Sequence, residues 1–214
     1  MAFKGWPAEA IEFYEGLEAD NTRAYWQDHK KEYEEFVKAP MVELLAELAG
    51  EFGEGKIFRP FRDVRFSKDK TPYKTAIGAT LARGGYVQFS ANGLAAGSGY
   101  YVMMPDQLEQ YRRAVDDDKA GAEIAGIVAA LRKAKIDVAA HDTLKTAPRG
   151  YAKDHPRIDL LRHKGLIAWK QWEVAAWMGT AKAKQRVIDF FATARPLNQW
   201  LDTNVGPSST PPRS

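Results

Sequence analysis

The chain has 214 residues, 45% of them hydrophobic and 12% aromatic, with no Cys and a net charge of +3. This apolar content excludes a disordered chain, and the lack of Cys excludes disulfides, thiolate zinc sites and a Cys nucleophile. The small net charge argues against a generally basic nucleic-acid binder. The sequence begins without a secretory-signal pattern and has no apolar run of about 20 residues, so we predict a cytoplasmic protein with no membrane partner.

The first half of the chain predicts helices followed by strands. Apolar residues recur at helical spacing in three segments, 8–17, 22–37 and 40–52. Segments rich in Val, Ile and aromatic residues then predict strands over 75–81, 86–90 and 94–103. Over 57–66, which Pro60 interrupts, they predict either two short strands or one kinked edge strand. Gly84-Gly85 and Asn92-Gly93 favour tight turns, so neighbouring strands should be antiparallel.

The second half returns to helical patterns. We predict helices over 105–115, up to 133, 156–163 and 180–194, and strands over 144–146 and 166–172. The whole pattern predicts an α+β fold, a central antiparallel sheet of hairpin strands with helices packed on it. We expect a single domain over 1–205 and, from its Pro, Ser and Gly content, a disordered tail over 206–214.

The excess positive charge is concentrated in one segment. Residues 56–74 hold seven Lys or Arg and two Asp, which leaves 24 basic and 26 acidic residues, net −2, in the rest of the chain. Guanidinium and ammonium groups this dense predict an anion site. The candidate residues are Arg59, Arg62, Asp63, Arg65, Lys68, Asp69, Lys70, Tyr73 and Lys74. The alternative is a solvated edge strand in which the two Asp pair with neighbouring cations.

A second basic stretch adds further candidates. Arg149, His155, Arg162 and Lys164 could converge on the first segment and complete a two-sided anion site, or could belong to an ordinary exposed helix. The four His have no metal-ligand spacing, so we predict no metal site. Catalytic residues and cofactors are unknown at this stage.

The stretch from Arg62 to Thr75 reads RDVRFSKDKTPYKT and closely resembles the signature of the family called domain of unknown function 2461. Further positions match two other parts of its pattern: Phe13, Leu17, Asn21, Trp26, Tyr33, Pro40, Pro148, Gly150, His155, Pro156, Leu160, Leu161, Arg162 and Lys164. The resemblance spans about residues 3 to 200, although Asp20-Asn21 replaces the family's pair of Asn. It implies no reaction and assigns no role to any residue.

Three functions fit these observations. The first is binding of, or catalysis on, a phosphorylated or carboxylated small molecule, held by Arg62, Arg65, Lys70 and Lys74. Acid–base chemistry, if there is any, would fall to Asp63, Asp69, Tyr73 or His155. The second, less favoured, is a nucleic-acid binding module, and the third is a non-catalytic protein that docks an acidic partner. The sequence leaves open the reaction, the ligand, the oligomeric state and whether the protein is an enzyme.

Overall fold

The computed structural model describes residues 2–65 and 67–209. The helices within these ranges are α1 (Ala8–Ala19), α2 (Arg23–Asp28), α3 (Lys30–Glu32), a π-helical segment (Tyr33–Lys38), α4 (Ala39–Phe52), α5 (Pro105–Asp116), α6 (Asp118–Lys133), α7 (Ile158–Leu161), a 3-10 turn (Ala176–Gly179) and α8 (Lys182–Asn204). The strands are β1 (Gly55–Ile57), β2 (Ala76–Leu81), β3 (Gly85–Ser90), β4 (Gly93–Tyr100), β5 (Asp137–Ala139) and β6 (Leu166–Trp172).

These strands form one antiparallel sheet in the order β1-β2-β3-β4-β6-β5, which confirms the predicted α+β fold. β2 and β3 form the predicted hairpin, but its turn is residues 82–84, since Gly85 already pairs with Leu81; Gly84 adopts a φ of 86°. A positive φ at this position suits Gly, which has no Cβ to clash with the backbone. The hairpin pairs Gly78 with Gln88 and Thr80 with Tyr86.

The chain divides into two compact units, Met1–Ala96 with Gln171–Phe190 and Gly97–Lys170 with Phe191–Ser214. In the first unit, α1 packs on β3 and α4 packs on β1 and β2. In the second unit, α6 packs on β5, and α5 packs on α6 and α7. The single domain over 1–205 stays a prediction. In the described ranges, no helix is both long and apolar enough to cross a membrane.

Two helix predictions were wrong, one because the helix is interrupted and one because the helix extends further. The predicted 22–37 helix is interrupted at His29, whose ring stacks on Tyr25 and whose Nδ1 donates to the Tyr25 carbonyl at 2.9 Å. The last helix continues through Pro196 to Asn204. Pro196 is exposed, while Leu197 and Leu201 beyond it are buried. Continued burial of an apolar face thus outweighs the backbone hydrogen bond that Pro cannot make.

The strand predictions were wrong where charged and loop residues dominate. The predicted 57–66 strand reduces to β1 and an isolated bridge between Phe61 and Tyr73. The predicted 144–146 strand is absent from the described residues, and Thr143 forms only an isolated bridge to His163. Of the predicted tail, Ser208 and Ser209 donate to the Asp106 carboxylate, and residues 210–214 lie outside the described residues.

Candidate functional site

The family-like segment forms a closed loop at the start of β2, here called the motif loop (residues 61–73). Its ends are held by two backbone hydrogen bonds, from Arg62 N to Pro72 O at 2.9 Å and from Lys74 N to Pro60 O at 2.8 Å. Phe66 lies outside the described residues. Because both ends are paired, the loop returns the chain to the sheet at a fixed position.

The Asn21 side chain, in the connection between α1 and α2, pairs with the backbone at the C-terminal end of the loop. The Asn21 amide accepts from Tyr73 N at 3.0 Å and donates to Tyr73 O at 3.1 Å. A side-chain amide has the same donor and acceptor as a peptide group, so Asn21 pairs with this backbone as a neighbouring strand would. The contact joins positions 52 residues apart.

The Tyr73 side chain anchors the loop in the core of the first unit. Its ring stacks on Trp26, with centroids 4.4 Å apart and an interplanar angle of 8°. Trp26 in turn packs against Tyr33 at 4.8 Å and Phe13 at 5.9 Å. Tyr73 is therefore a buried packing residue. In the predicted anion site it would form part of the cavity wall.

Within the loop, Arg62 is held by neighbours rather than left free. Its Nη1 donates to the Asp69 carboxylate and lies within hydrogen-bond distance of Thr71 Oγ1. Asp69 also accepts from Thr71 N at 2.9 Å and from Thr71 Oγ1 at 2.8 Å. Arg62 is half-buried. This network fixes the Arg62 guanidinium at one side of a cavity and pairs it with the Asp69 carboxylate.

The motif loop and the β2–β3 hairpin enclose a cavity of about 620 Å³. Its lining is mixed, with aromatic, hydroxyl, amide and charged side chains. The lining residues are Glu18, Asn21, Phe58, Arg62, Asp69, Thr71, Tyr73, Lys74, Thr75, Ala76, Gly78, Tyr86 and Gln88. This volume falls in the range of small-molecule sites, which is about 300–1,000 Å³.

Among the described residues that line this cavity, Lys74 is the cation without a carboxylate partner. The side chain is half-buried, and its Nζ lies 5.4 Å from the centre of the Phe58 ring. Burial lowers the Lys74 pKa below its ordinary 10.5, and the nearby Arg59 charge lowers it further. The surroundings of Lys74 therefore disfavour its protonated, positively charged form.

The other predicted cations of the first segment lie outside the cavity lining. Arg65 makes a bidentate pair with Asp63, with Nε to Oδ1 at 3.0 Å and Nη2 to Oδ2 at 2.7 Å. Lys70 donates to Val64 O at 2.9 Å. Lys68 is exposed. Asp63, Arg65 and Lys70 therefore fit the alternative interpretation of this segment, because each one forms an ion pair or a hydrogen bond within the loop.

The two loop carboxylates are too weakly basic for proton abstraction near neutral pH. The Arg65 hydrogen bonds lower the Asp63 pKa from 3.8 to about 2, and those from Arg62 and Thr71 lower the Asp69 pKa to about 2. A catalytic base works best with a pKa close to the operating pH.

These pKa values predict acid sensitivity of the loop. A carboxylate with a depressed folded-state pKa stabilises the fold above its ordinary pKa, and this stabilisation is lost as the pH falls from 3.8 towards 2. We expect the Thr71 amide resonance to titrate with a midpoint of about 2. Asp69→Asn should abolish this transition, and Asp63→Asn should leave it in place. A Thr71 midpoint at the ordinary Asp value would contradict the Asp69 network.

The second basic stretch lies in the other unit and is engaged there. His155 Nε2 lies 3.1 Å from an Asp116 carboxylate oxygen, and His155 Nδ1 accepts from Arg157 N at 3.0 Å. Arg162 donates to Leu144 O at 2.6 Å, and Lys164 pairs with Asp142. Arg149 is exposed. Convergence of this stretch with the first remains a prediction.

Of the thirteen residues that line the cavity, only Arg62, Asp69, Tyr73 and Lys74 were candidates from the sequence. Glu18, Phe58, Gly78, Tyr86 and Gln88 were not candidates, although hairpin periodicity carries a signal for the last three. Side chains on a strand alternate between faces, so Tyr86 and Gln88 share one face of β3 while the buried Val87 and Phe89 take the other. A Cβ at Gly78 would lie 2.5 Å from the Tyr86 hydroxyl, so Gly78 makes room for that ring.

Over residues 2–65 and 67–209, no three or more His, Asp or Glu side chains are grouped so as to hold a metal ion.

The chain has an α+β fold in which a cationic loop lines a cavity large enough for a small molecule. A model of the conserved hypothetical proteins named domain of unknown function 2461 matches residues 9–200, and the chain belongs to this family.

Other comparisons add little. No curated protein matches the chain. A solved structure, a conserved hypothetical protein from Pyrococcus furiosus, is similar over 76% of this chain and 92% of its own length, with 13% identity and a TM-score of 0.36. None of these descriptions names a ligand or a reaction.

Proposed function

We propose that the cavity beneath the motif loop binds a phosphorylated or carboxylated small molecule, with Lys74 as its principal cation. The observation that carries this proposal is the half-buried Lys74 ammonium, which lines a cavity of about 620 Å³ without a carboxylate partner among the described residues. A charge held in a site that lowers its pKa is a common feature of functional sites. A bound anion would supply the missing partner.

The rest of the lining supports the same ligand class. Arg62 is fixed by Asp69 and Thr71, so its remaining N–H groups are oriented without a loss of side-chain entropy on binding. Thr75 adds a hydroxyl at the start of β2, and the Phe58 ring adds an apolar wall. Such a mixed lining, with apolar surface beside several placed polar groups, can fix the orientation of a small ligand. We also propose a cytoplasmic location, which the absence of Cys supports.

The test is ligand binding by Lys74→Gln beside a matched control. A thermal-shift screen against sugar phosphates, nucleotides and sulfate should find a stabilising anion, whose affinity is then measured by calorimetry. We expect Lys74→Gln to weaken that affinity roughly 10- to 100-fold, the worth of one charge-assisted hydrogen bond. Lys68→Gln removes the same charge from an exposed position outside the cavity and should bind as the wild type does.

The stability of Lys74→Gln separates binding from folding. Because burial disfavours the Lys74 ammonium, removing it should not destabilise the free protein. An unstable variant would assign Lys74 a structural role. Equal loss of affinity in Lys68→Gln would indicate a diffuse charge effect instead of a site.

Nucleic-acid binding is the second candidate, and one observation favours it. Phe58 and Phe61 are exposed on either side of Arg59, and all three line a second cavity of about 490 Å³. Exposed aromatic rings beside a guanidinium can stack bases of a single strand. This candidate requires that short oligonucleotides bind, that Phe61→Ala weakens them, and that affinity falls steeply with salt, since each neutralised phosphate releases counterions.

A further inference from the structure

Four charged side chains line the cavity beneath the motif loop: Glu18, Arg62, Asp69 and Lys74. Arg62 and Asp69 form an ion pair with each other. The two that remain, Glu18 and Lys74, have opposite signs. Neither forms an ion pair or a side-chain hydrogen bond with another residue in the described parts of the chain.

Glu18 has no evident role in holding its own helix. It lies in the last turn of α1, where the helix dipole is negative and a carboxylate is disfavoured. No basic residue occupies that turn to compensate. An acidic side chain here is unfavourable for the free helix, as the Lys74 ammonium is unfavourable in its half-buried position.

The two opposite charges face the same cavity and do not meet. A Lys and a Glu within reach of each other would form an ion pair, as Lys184 and Glu47 do elsewhere in this unit. The cavity lining thus carries an exposed negative group, Glu18, and a half-buried positive group, Lys74, that form no ion pair with each other among the described contacts. A ligand that contacts both groups gains from both only if it carries both charges.

We infer that the ligand of this cavity is a small zwitterion, with a phosphate or carboxylate at Lys74 and an ammonium group at Glu18. This inference rests on the proposed function, because it assigns a second group to the same ligand. Electrostatic complementarity chiefly confers specificity, so Glu18 would select aminated anions over plain ones. The neutral Arg62–Asp69 pair leaves this charge balance unchanged.

The experiment compares probes that differ only in the ammonium group. Phosphoethanolamine is paired with propyl phosphate, and 4-aminobutanoate with pentanoate, and each dissociation constant is measured by calorimetry. The wild type should bind each aminated probe about 10-fold more tightly than its partner, the effect of one charge-assisted contact. Glu18→Gln should remove this preference, and it should bind propyl phosphate no more weakly than the wild type does, because the cavity loses a negative charge. Glu15→Gln, an exposed change on the same helix outside the lining, should keep it.

The outcomes separate this inference from the proposed function. Equal binding of both members of each pair by the wild type would overturn the zwitterion and leave the anion site standing. A preference that persists in Glu18→Gln would also overturn it, because another group would then receive the ammonium. Failure of all four probes and of the anion screen would overturn both.

Discussion

Replacing Trp26 by Ala is expected to lower the free energy of unfolding by about 3–5 kcal/mol, the usual cost of deleting a large buried aromatic side chain. Trp26 is 4% exposed and stacks directly on Tyr73. It also contacts Tyr33 and Phe13, so its removal leaves a cavity lined by rigid rings that cannot easily close. The same change should loosen the motif loop, because the stack is what fixes Tyr73 against α2.

The measurement is urea unfolding of Trp26→Ala, with Trp26→Phe and Phe61→Ala as controls. Trp26→Phe keeps a ring in the cluster and should lose less. Phe61 packs against the rings of Trp26 and Tyr73 but is 48% exposed. Phe61→Ala should therefore lower the free energy of unfolding clearly less than Trp26→Ala does. If Trp26→Ala were no worse than Phe61→Ala, the aromatic cluster would not be what anchors the loop.

Replacing Asn21 by Ala is expected to lower the free energy of unfolding by about 2–4 kcal/mol, since two backbone groups lose their partners. Both groups belong to Tyr73, which is 3% exposed, so water replaces the lost amide poorly. Asn21→Asp should be nearly as damaging. It keeps an acceptor for Tyr73 N–H, but turns an oxygen towards Tyr73 O.

Urea unfolding and amide hydrogen exchange test this second expectation. In Asn21→Ala the Tyr73 amide should exchange much faster, while the amides of the β2–β3 hairpin keep their protection. Asn92→Ala, which removes an exposed amide from a turn of the same unit, serves as the matched control and should be close to neutral. An Asn21→Ala protein as stable as Asn92→Ala would show that the loop is held by other contacts.

The features best predicted from the sequence are those that depend on neighbouring residues, such as turns and the starts of helices. Gly84 lies in the β2–β3 turn with a φ of 86°, and α6 begins after Asp117, whose side chain accepts from Lys119 N and Ala120 N. Each depends on residues within a few positions of one another, which is the range that turn and capping rules cover. The motif itself was also recognisable, because it is a continuous stretch of the chain.

The parts that escaped prediction depend on distant residues. The Asn21–Tyr73 pairing joins two segments that lie far apart in sequence, and nothing near Asn21 indicates its partner. The cavity needs α1, the motif loop and β3 together, so neither Glu18 nor Tyr86 could be assigned to it from its own element alone. Pairing of Asp63 with Arg65 was foreseen only as an alternative, because charge density alone cannot distinguish an engaged guanidinium from a free one.

The most direct test of the account is an NMR titration of the Lys74 side-chain ammonium, assigned by comparison with Lys74→Gln, in the absence and presence of propyl phosphate. Without the probe, the Lys74 pKa should lie below its ordinary value because the group is partly buried near Arg59. At saturation an adjacent anion should raise that pKa and shift the resonance, with the Lys68 resonance unchanged. A Lys74 resonance that stays the same at saturating probe would contradict an anion site at this residue.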